Sequence, residues 1–379
     1  MRIAQQRWTA SDGWQPPLPS GADATAQLVW VFGSPVALAE PRQLAAIRAA
    51  YPSAQLFGCS TAGEICGTQV TDDSLVTTAV AFTHTTLQHA RVNIRDCQNS
   101  EQVGVRLAQT LAPHGLRHVV VLSDGQHVNG SELVRGLLSH LPPQVAVTGG
   151  LAGDGTRFQR TLVLADDGAQ EDSVAVLGFY GSRLRVGYGS LGGWDSFGPE
   201  RLITRSVGNI LYELDGQPAL ELYKKYLGDH AAGLPASGLL FPLSLRSAHE
   251  ANDVVRTILS IDEAAHSLTF AGDVPEGSYA RLMKANFDRL VDGAHGAAHT
   301  SIAAFGATPV ALAILISCVG RKLVLQQRTE EELEAVRDVV GARAFLTGFY
   351  SYGEICPAAP NANCQLHNQT MTITTFAEA

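Results

Sequence analysis

The sequence predicts an α/β protein (mixed α+β) of two pseudo-repeated lobes, with mixed parallel and antiparallel sheets covered by helices and a ligand cleft between the lobes. Three observations predict it. Of 379 residues, 45% are hydrophobic and 17% are charged, a balance that favours large buried sheets over solvated helices or disorder. The order helix, buried strand, helix, strand, glycine loop occurs in residues 100–154 and again in residues 278–354. Finally, Phe57-Gly58-Cys59-Ser60-Thr61-Ala62-Gly63-Glu64-Ile65-Cys66 and Gly348-Phe349-Tyr350-Ser351-Tyr352-Gly353-Glu354-Ile355-Cys356 share a Gly-Glu-Ile-Cys ending. A weaker version, Thr148-Gly149-Gly150-Leu151-Ala152-Gly153-Asp154, lies between them.

Residues 1–26 are polar, carry Trp8, Trp14 and a Pro-Pro turn, and read as an extended arm without the apolar region of an export signal. A first domain then spans 27–222 and a second 223–379. Residues 28–32 are a continuous apolar run ending at Gly33, the pattern of a buried strand. Residues 41–50 have helical spacing, stopped by Pro52, and 54–57 form a strand delivering the first glycine turn. Strands follow at 75–82 and 89–95. A helix capped by Ser100 runs over 100–111, a buried strand over 118–123, and a helix capped by Ser131 to His140. Residues 145–147 lead into the Gly149-Gly150 loop, and strands at 161–165, 173–180 and 184–190 read as an antiparallel run. Residues 217–227 form a helix. In the second half, strands are expected at 239–243, 254–261 and 268–270, a helix at 278–291, and a buried strand at 310–317. Thr329-Glu330-Glu331-Glu332 reads as a capping box for a helix that reaches Val340 and stops at Gly341; strands at 344–346 and 370–376 close the chain.

Net charge is −9 with no Lys/Arg run, which excludes a phosphate-backbone partner, so no nucleic acid is expected. The longest apolar run, 307–319, is broken by Pro309 and too short to span a bilayer, so no membrane association is expected. Six dispersed cysteines without a Cys-x-x-Cys suit a reducing, cytoplasmic setting. Gly187-Tyr188-Gly189-Ser190-Leu191-Gly192 matches Gly-x-Gly-x-x-Gly, but loop residues follow where a dinucleotide site needs a helix. His295 and His299 share a helical face without a third ligand, and Gly293 and Gly296 are expected to disturb that helix, so no metal is assigned.

Glycines at the three turns let backbone N–H groups approach a ligand, and the adjoining hydroxyls and carboxylates suit a polar or cationic group. The plainer reading of each is a strand-to-loop turn in which glycine meets a φ demand. The recurring acid favours a site. The candidate ligand-binding residues are Gly58, Cys59, Ser60, Thr61, Gly63, Glu64, Gly149, Gly150, Asp154, Tyr350, Ser351, Tyr352, Gly353, Glu354 and Asn368. An enzymatic alternative places a Cys59 or Ser60 nucleophile near His127, without a Gly-x-Ser-x-Gly elbow to support it.

Residues 57–65 resemble the signature of the FIST N domain, as do Ser123-Asp124-Gly125 with Asn129-Gly130-Ser131, and residues 149–154. Residues 209–219 resemble its closing segment, and residues 351–355 and 364–372 resemble the FIST C domain. The resemblance implies a non-enzymatic sensory module for a small ligand, working through a signalling protein. It is similar to bacterial members that sense nitric oxide through haem b and act on a histidine kinase or a cyclic-di-GMP enzyme. On that reading His367, His127 and Cys364 are the candidate haem ligands, since iron needs an axial His, Cys, Met or Tyr. The alternative ligand is an amino acid or similar polar metabolite.

Overall fold

Residues 28–33 are apolar throughout, and they form the strand Leu28–Gly33, buried along its length. In the computed structural model, which describes residues 1–19, 25–166, 168–246, 253–357 and 362–379, this strand begins a unit that occurs three times. Leu28–Gly33 pairs parallel with Gln55–Ser60 and antiparallel with Leu75–Ala81. Leu116–Ser123 pairs likewise with Ala146–Leu151 and Ser173–Tyr180. Leu312–Cys318 repeats the arrangement with Phe345–Ser351 and Met371–Glu378. Both copies expected from sequence are present; the third is at the start of the first lobe. The registers equate Gly58, Gly149 and Gly348, which lie opposite Val31, Val121 and Leu315. A Cβ on these glycines would stand 1.7, 1.8 and 1.8 Å from the carbonyl oxygens of those partners. No other residue fits there.

Beyond each glycine turn the chain leaves its own sheet and joins the next. Glu64–Cys66 pairs with Phe345–Ser351, Val163–Ala165 with Gln55–Ser60, and Gly353–Pro357 with Ala146–Leu151. The turns interlock through N–H groups of Ala62, Gly153 and Tyr352, which donate to the carbonyls of Tyr350, Ser60 and Leu151 at 2.8, 3.0 and 3.2 Å. Three sheets therefore surround a pseudo-threefold axis, and each lobe carries a strand of the other. Trp30, Phe32, Phe57, Phe179, Phe349 and Phe376 fill the space between the sheets, with Phe32 and Phe349 in contact at 4.9 Å between ring centroids. Each such ring removes roughly 150–250 Å² from water, about 4–6 kcal/mol before conformational entropy is subtracted.

A fourth, nine-stranded sheet lies between residues 194 and 285 and takes strands from both sides of residue 222. It accounts for the clearest departure from the expected elements. Residues 278–291 do not form one helix: Tyr279–Ala285 is a strand paired with Leu243–Arg246, and the helix is Phe287–Ile302. Pairing partners on both sides outweigh the helix propensity of Ala, Leu, Met and Lys here. The N-terminal arm is also more than a laid-on segment, because Arg2–Thr9 pairs with Leu75–Ala81 and forms a hairpin with Gly13–Gln15. Leu184–Leu191 does not extend the preceding antiparallel run but pairs with Met371–Glu378 in the second lobe. Two helix starts shift by one residue: Asn99 and Asn129, not Ser100 and Ser131, accept the first-turn N–H groups. The capping box at Thr329 is not formed, since Thr329 donates to the Gln326 carbonyl and Glu332 is drawn into the core. The helix nonetheless spans Thr329–Val340 and ends at Gly341. No helix among the described residues is long and apolar enough to cross a membrane.

Candidate functional site

The three glycine turns do converge, but upon the protein interior. Glu64 is 1% exposed; Thr61 donates to its Oε1, and the Ser74 N–H and Oγ donate to Oε2 at 3.1 and 2.6 Å. Glu354 is fully buried, with Ser351 Oγ on Oε1 at 2.5 Å and the Thr370 N–H and Oγ1 on Oε2 at 3.1 and 3.0 Å. The two carboxylates occupy equivalent positions and perform the same task, tying the crossing strand to the start of a strand in a neighbouring sheet. Desolvation pushes Glu64 up to about 7 and Glu354 up to about 8, against the hydrogen bonds that favour their charged forms. Asp154 organises its own loop instead. Its carboxylate accepts the N–H groups of Phe158, Gln159 and Arg160 at 2.9, 2.8 and 2.9 Å, together with the Tyr352 hydroxyl.

The remaining candidates are placed the same way. Ser60 Oγ donates to the Gly153 carbonyl and accepts from the Leu162 N–H, both at 2.9 Å, and Cys59 is fully buried with its thiol pushed up by desolvation. Neither is presented to a substrate, and no hydrogen bond links either to His127. Asn368 joins the Tyr352 carbonyl to the Thr257 N–H. Tyr350 donates to Glu332 at 2.6 Å. Gly150 and Gly353 admit the side chains of Ile316 and Leu151, and Gly63, with φ +141°, leaves room for the Lys322 ammonium. These residues form the joint between lobes rather than the wall of a cleft. The physical reason is saturation: each carboxylate already has its donors within the fold.

Each of the three candidate haem ligands has a partner within the fold. His367 Nε2 lies 2.9 Å from the Cys356 carbonyl, and burial pushes the ring down to about 4. The Cys364 thiol donates to the Val147 carbonyl at 3.2 Å, and burial raises its pKa. His127 is at the surface between Asp124 and Asp172, 3.5 and 3.1 Å from them. Among the described residues, Asp124, His127 and Asp172 place three possible metal-ligand atoms within 4.8 Å. Asp124 is already engaged by the Gln126 and His127 N–H groups, and Asp172 by Arg95. His295 and His299 meet edge to face on the exposed side of a helix that Gly293 and Gly296 do not interrupt.

Open space lies elsewhere, at two grooves that both lobes wall. The larger, about 640 Å³, runs between the helix Gly130–Leu138 and residues 245–278 and 363–366. Arg256 crosses its floor, donating to the Asp273 and Leu366 carbonyls at 2.9 and 3.0 Å and to Ser131 Oγ at 3.3 Å. Asp273 in turn accepts from Asn129 at 2.6 Å and from Arg135 at 3.3 Å. Polar groups of both signs and apolar side chains (Val134, Leu138, Leu245, Leu366) thus share one concavity. The smaller groove, about 450 Å³, opens beside Ala62, Arg157 and Lys322. Sequence reasoning passed over all of these charged residues. A signal existed for Arg256, a lone cation within the apolar stretch 254–259, and for Lys322, which follows the carboxyl end of a buried strand.

The Gly-x-Gly-x-x-Gly match has a structural purpose. Cβ atoms on Gly187 and Gly189 would meet the Ser301 and Ala297 carbonyls at 1.8 and 2.3 Å, so these glycines allow the helix Phe287–Ile302 to lie directly on Leu184–Leu191.

Comparison with known proteins gives a family and a weak structural likeness. Among solved structures, a cyanuric acid hydrolase from A. caulinodans is similar at 10% identity and a TM-score of 0.18, covering 78% of this chain and 99% of its own. A second, titled as a cyanuric acid hydrolase and an evolutionary innovation by structural concatenation, is similar at 11% identity and a TM-score of 0.18, covering 78% and 100%. No curated protein matches. The FIST N domain matches residues 27–217 and the FIST C domain matches residues 219–357. FIST domains are small-ligand sensors associated with signalling, and this chain, matched by both domains across most of its length, belongs to the FIST family.

Proposed function

We propose that this protein senses a small polar metabolite, an amino acid or a molecule of similar size and charge, held in the 640 Å³ groove between the lobes. The observation that carries this reading is the hydrogen-bonded chain Asn129–Asp273–Arg135 with Ser131–Arg256, which spans the groove from one lobe to the other. A ligand with a carboxylate and an ammonium finds a partner for each in Arg135 and Asp273, and apolar contacts for its side chain. Binding there changes the contacts that join the lobes, which supplies the differential affinity that any ligand-driven change requires. The output is a contact with another protein, and the partner classes implied by the family resemblance are a histidine kinase or a cyclic-di-GMP enzyme in the cytoplasm. Haem-based nitric oxide sensing draws no support from the arrangement around His367, His127 and Cys364.

The test is thermal unfolding of the full chain against a panel of amino acids and small metabolites. A true ligand at 100 times its Kd adds about 2.7 kcal/mol of stability, a shift of a few degrees. Arg135→Ala and Asp273→Asn should abolish that shift while leaving the unliganded protein folded. A ligand shift unchanged in both variants, or a Soret band on haem addition that is lost in His367→Ala, overturns this reading.

A further inference from the structure

The smaller groove opens where the glycine turns end, and all three copies of the repeating unit contribute to it: Ala62 from the first, Thr156 and Arg157 from the second, Lys322 from the third. Its character follows from two departures from the pseudo-threefold pattern. Gly33, Ser123 and Ser317 are equivalent, lying opposite Ser60, Leu151 and Tyr350 at or next to the strand ends. Five positions further on stand Leu38, Val128 and Lys322. Leu38 and Val128 are buried apolar residues, whereas the Lys322 side chain keeps 18% of its surface exposed. The second departure is in length. After its turn the first copy enters Glu64–Cys66 and the third enters Gly353–Pro357 directly, but the second makes an excursion before Val163–Ala165. Asp154 gathers the end of that excursion through three backbone N–H groups, and this presents Thr156 and Arg157 at the rim.

The charges are incompletely satisfied. Lys322 Nζ donates to the Ala62 carbonyl at 3.0 Å and to Asp72, and an ammonium has a third N–H to give. Arg157 makes no hydrogen bond or ion pair with any described residue. Asp72, with 68% of its side chain exposed, is the one acidic residue among the described residues that line the groove. Two cations face one solvated carboxylate at the carboxyl ends of parallel strands, the usual location for a ligand in such sheets.

We propose that this groove is a second ligand site, for a small anion whose carboxylate or phosphate group is held by the Arg157 guanidinium with the Lys322 ammonium behind it. An arginine fork matches either oxyanion with paired hydrogen bonds, and Lys322 adds a point charge. Asp72 is then a competitor for Lys322, so its removal frees the ammonium for the anion. The site is independent of the larger groove.

Calorimetric titration of the full chain at constant ionic strength tests it, with inorganic phosphate and succinate as separate probes. Saturable binding of either is expected, and the probe that binds more tightly identifies the oxyanion. Arg157→Gln, an exposed change that leaves the circular dichroism spectrum unaltered, should weaken binding roughly tenfold or more. Asp72→Asn should tighten it. No saturable binding of either probe, wild-type affinity in Arg157→Gln, or unchanged or weaker affinity in Asp72→Asn would each overturn the proposal. Arg135→Ala in the larger groove should leave phosphate and succinate affinity unchanged, so the two sites can fail separately.

Discussion

Arg321 and Glu332 are both completely buried, and each is satisfied to the last group. Glu332 Oε2 receives Arg321 Nε and Nη2 at 3.0 and 2.8 Å, while Oε1 receives Ser317 and Tyr350. The remaining three guanidinium N–H groups reach the Gly192, Gln369 and Leu290 carbonyls. Removing one partner strands the other charge in the core, so Arg321→Ala should destabilise the protein by about 3–5 kcal/mol. The double change Arg321→Met with Glu332→Leu should recover much of that loss; urea unfolding of the three proteins measures both. Neither residue stood out in the sequence, because a glutamate in a helix's first turn looks like a capping residue until the fold draws it inward. The glycine-turn acids show the same limit. Glu64 and Glu354 were legible as unusual, beside hydroxyls and glycines, but their partners Ser74 and Thr370 lie ten and sixteen residues further on. A carboxylate with nearby hydroxyls reads alike whether it awaits a ligand or is already satisfied.

The helix Phe287–Ile302 lies so close to Leu184–Leu191 and the turn after it that glycines are needed on both elements. Gly293 and Gly296 discriminate between propensity and packing. Replacing a helical glycine by alanine gains about 1 kcal/mol of intrinsic stability. At Gly293 the new Cβ would stand 1.7 Å from the Gly192 carbonyl, a backbone atom that cannot step aside. At Gly296 it meets only the tip of Leu191, 2.7 Å away on a side chain 44% exposed. Gly293→Ala should therefore lower stability by roughly 1–3 kcal/mol, since overpacking outweighs propensity, whereas Gly296→Ala should be neutral or stabilising. Paired thermal melts test the contrast. At this scale the long apolar strands and most helices were readable from periodicity. Tyr279–Ala285 was not, because its strand state depends on neighbours distant in sequence.

The whole molecule carries opposing buried groups that shape its response to pH. Glu64 and Glu354 are raised from 4.5 to about 7 and about 8 by burial, so their contribution is complete below 4.5 and is lost as pH rises through those values. His118 and His367 are lowered from 6.5 to about 3 and about 4, so theirs is complete above 6.5 and is lost as pH falls through those values. The two pairs oppose each other between 4.5 and 6.5. Only the carboxyl groups act above that window and only the histidines below it. Stability should peak in mildly acidic solution and decline from pH 6.5 to 8. Glu64→Gln with Glu354→Gln should flatten the decline above 6.5 and leave the acid limb intact. Urea unfolding at several pH values measures it, and an unchanged alkaline limb in the double variant would reject the assignment.

From the sequence alone came the mixed α/β class, the buried strands, the recurring glycine turns and the family to which they point. Each rests on something local: the period of apolar residues, the freedom of glycine, a run of residue types. The tertiary structure decided that the repeating unit occurs three times, that each turn passes its strand to a neighbouring sheet, and that the acids close the joint while the grooves open beside it. Strand exchange is set by which apolar faces bury one another across hundreds of residues, and no short window of sequence contains that information.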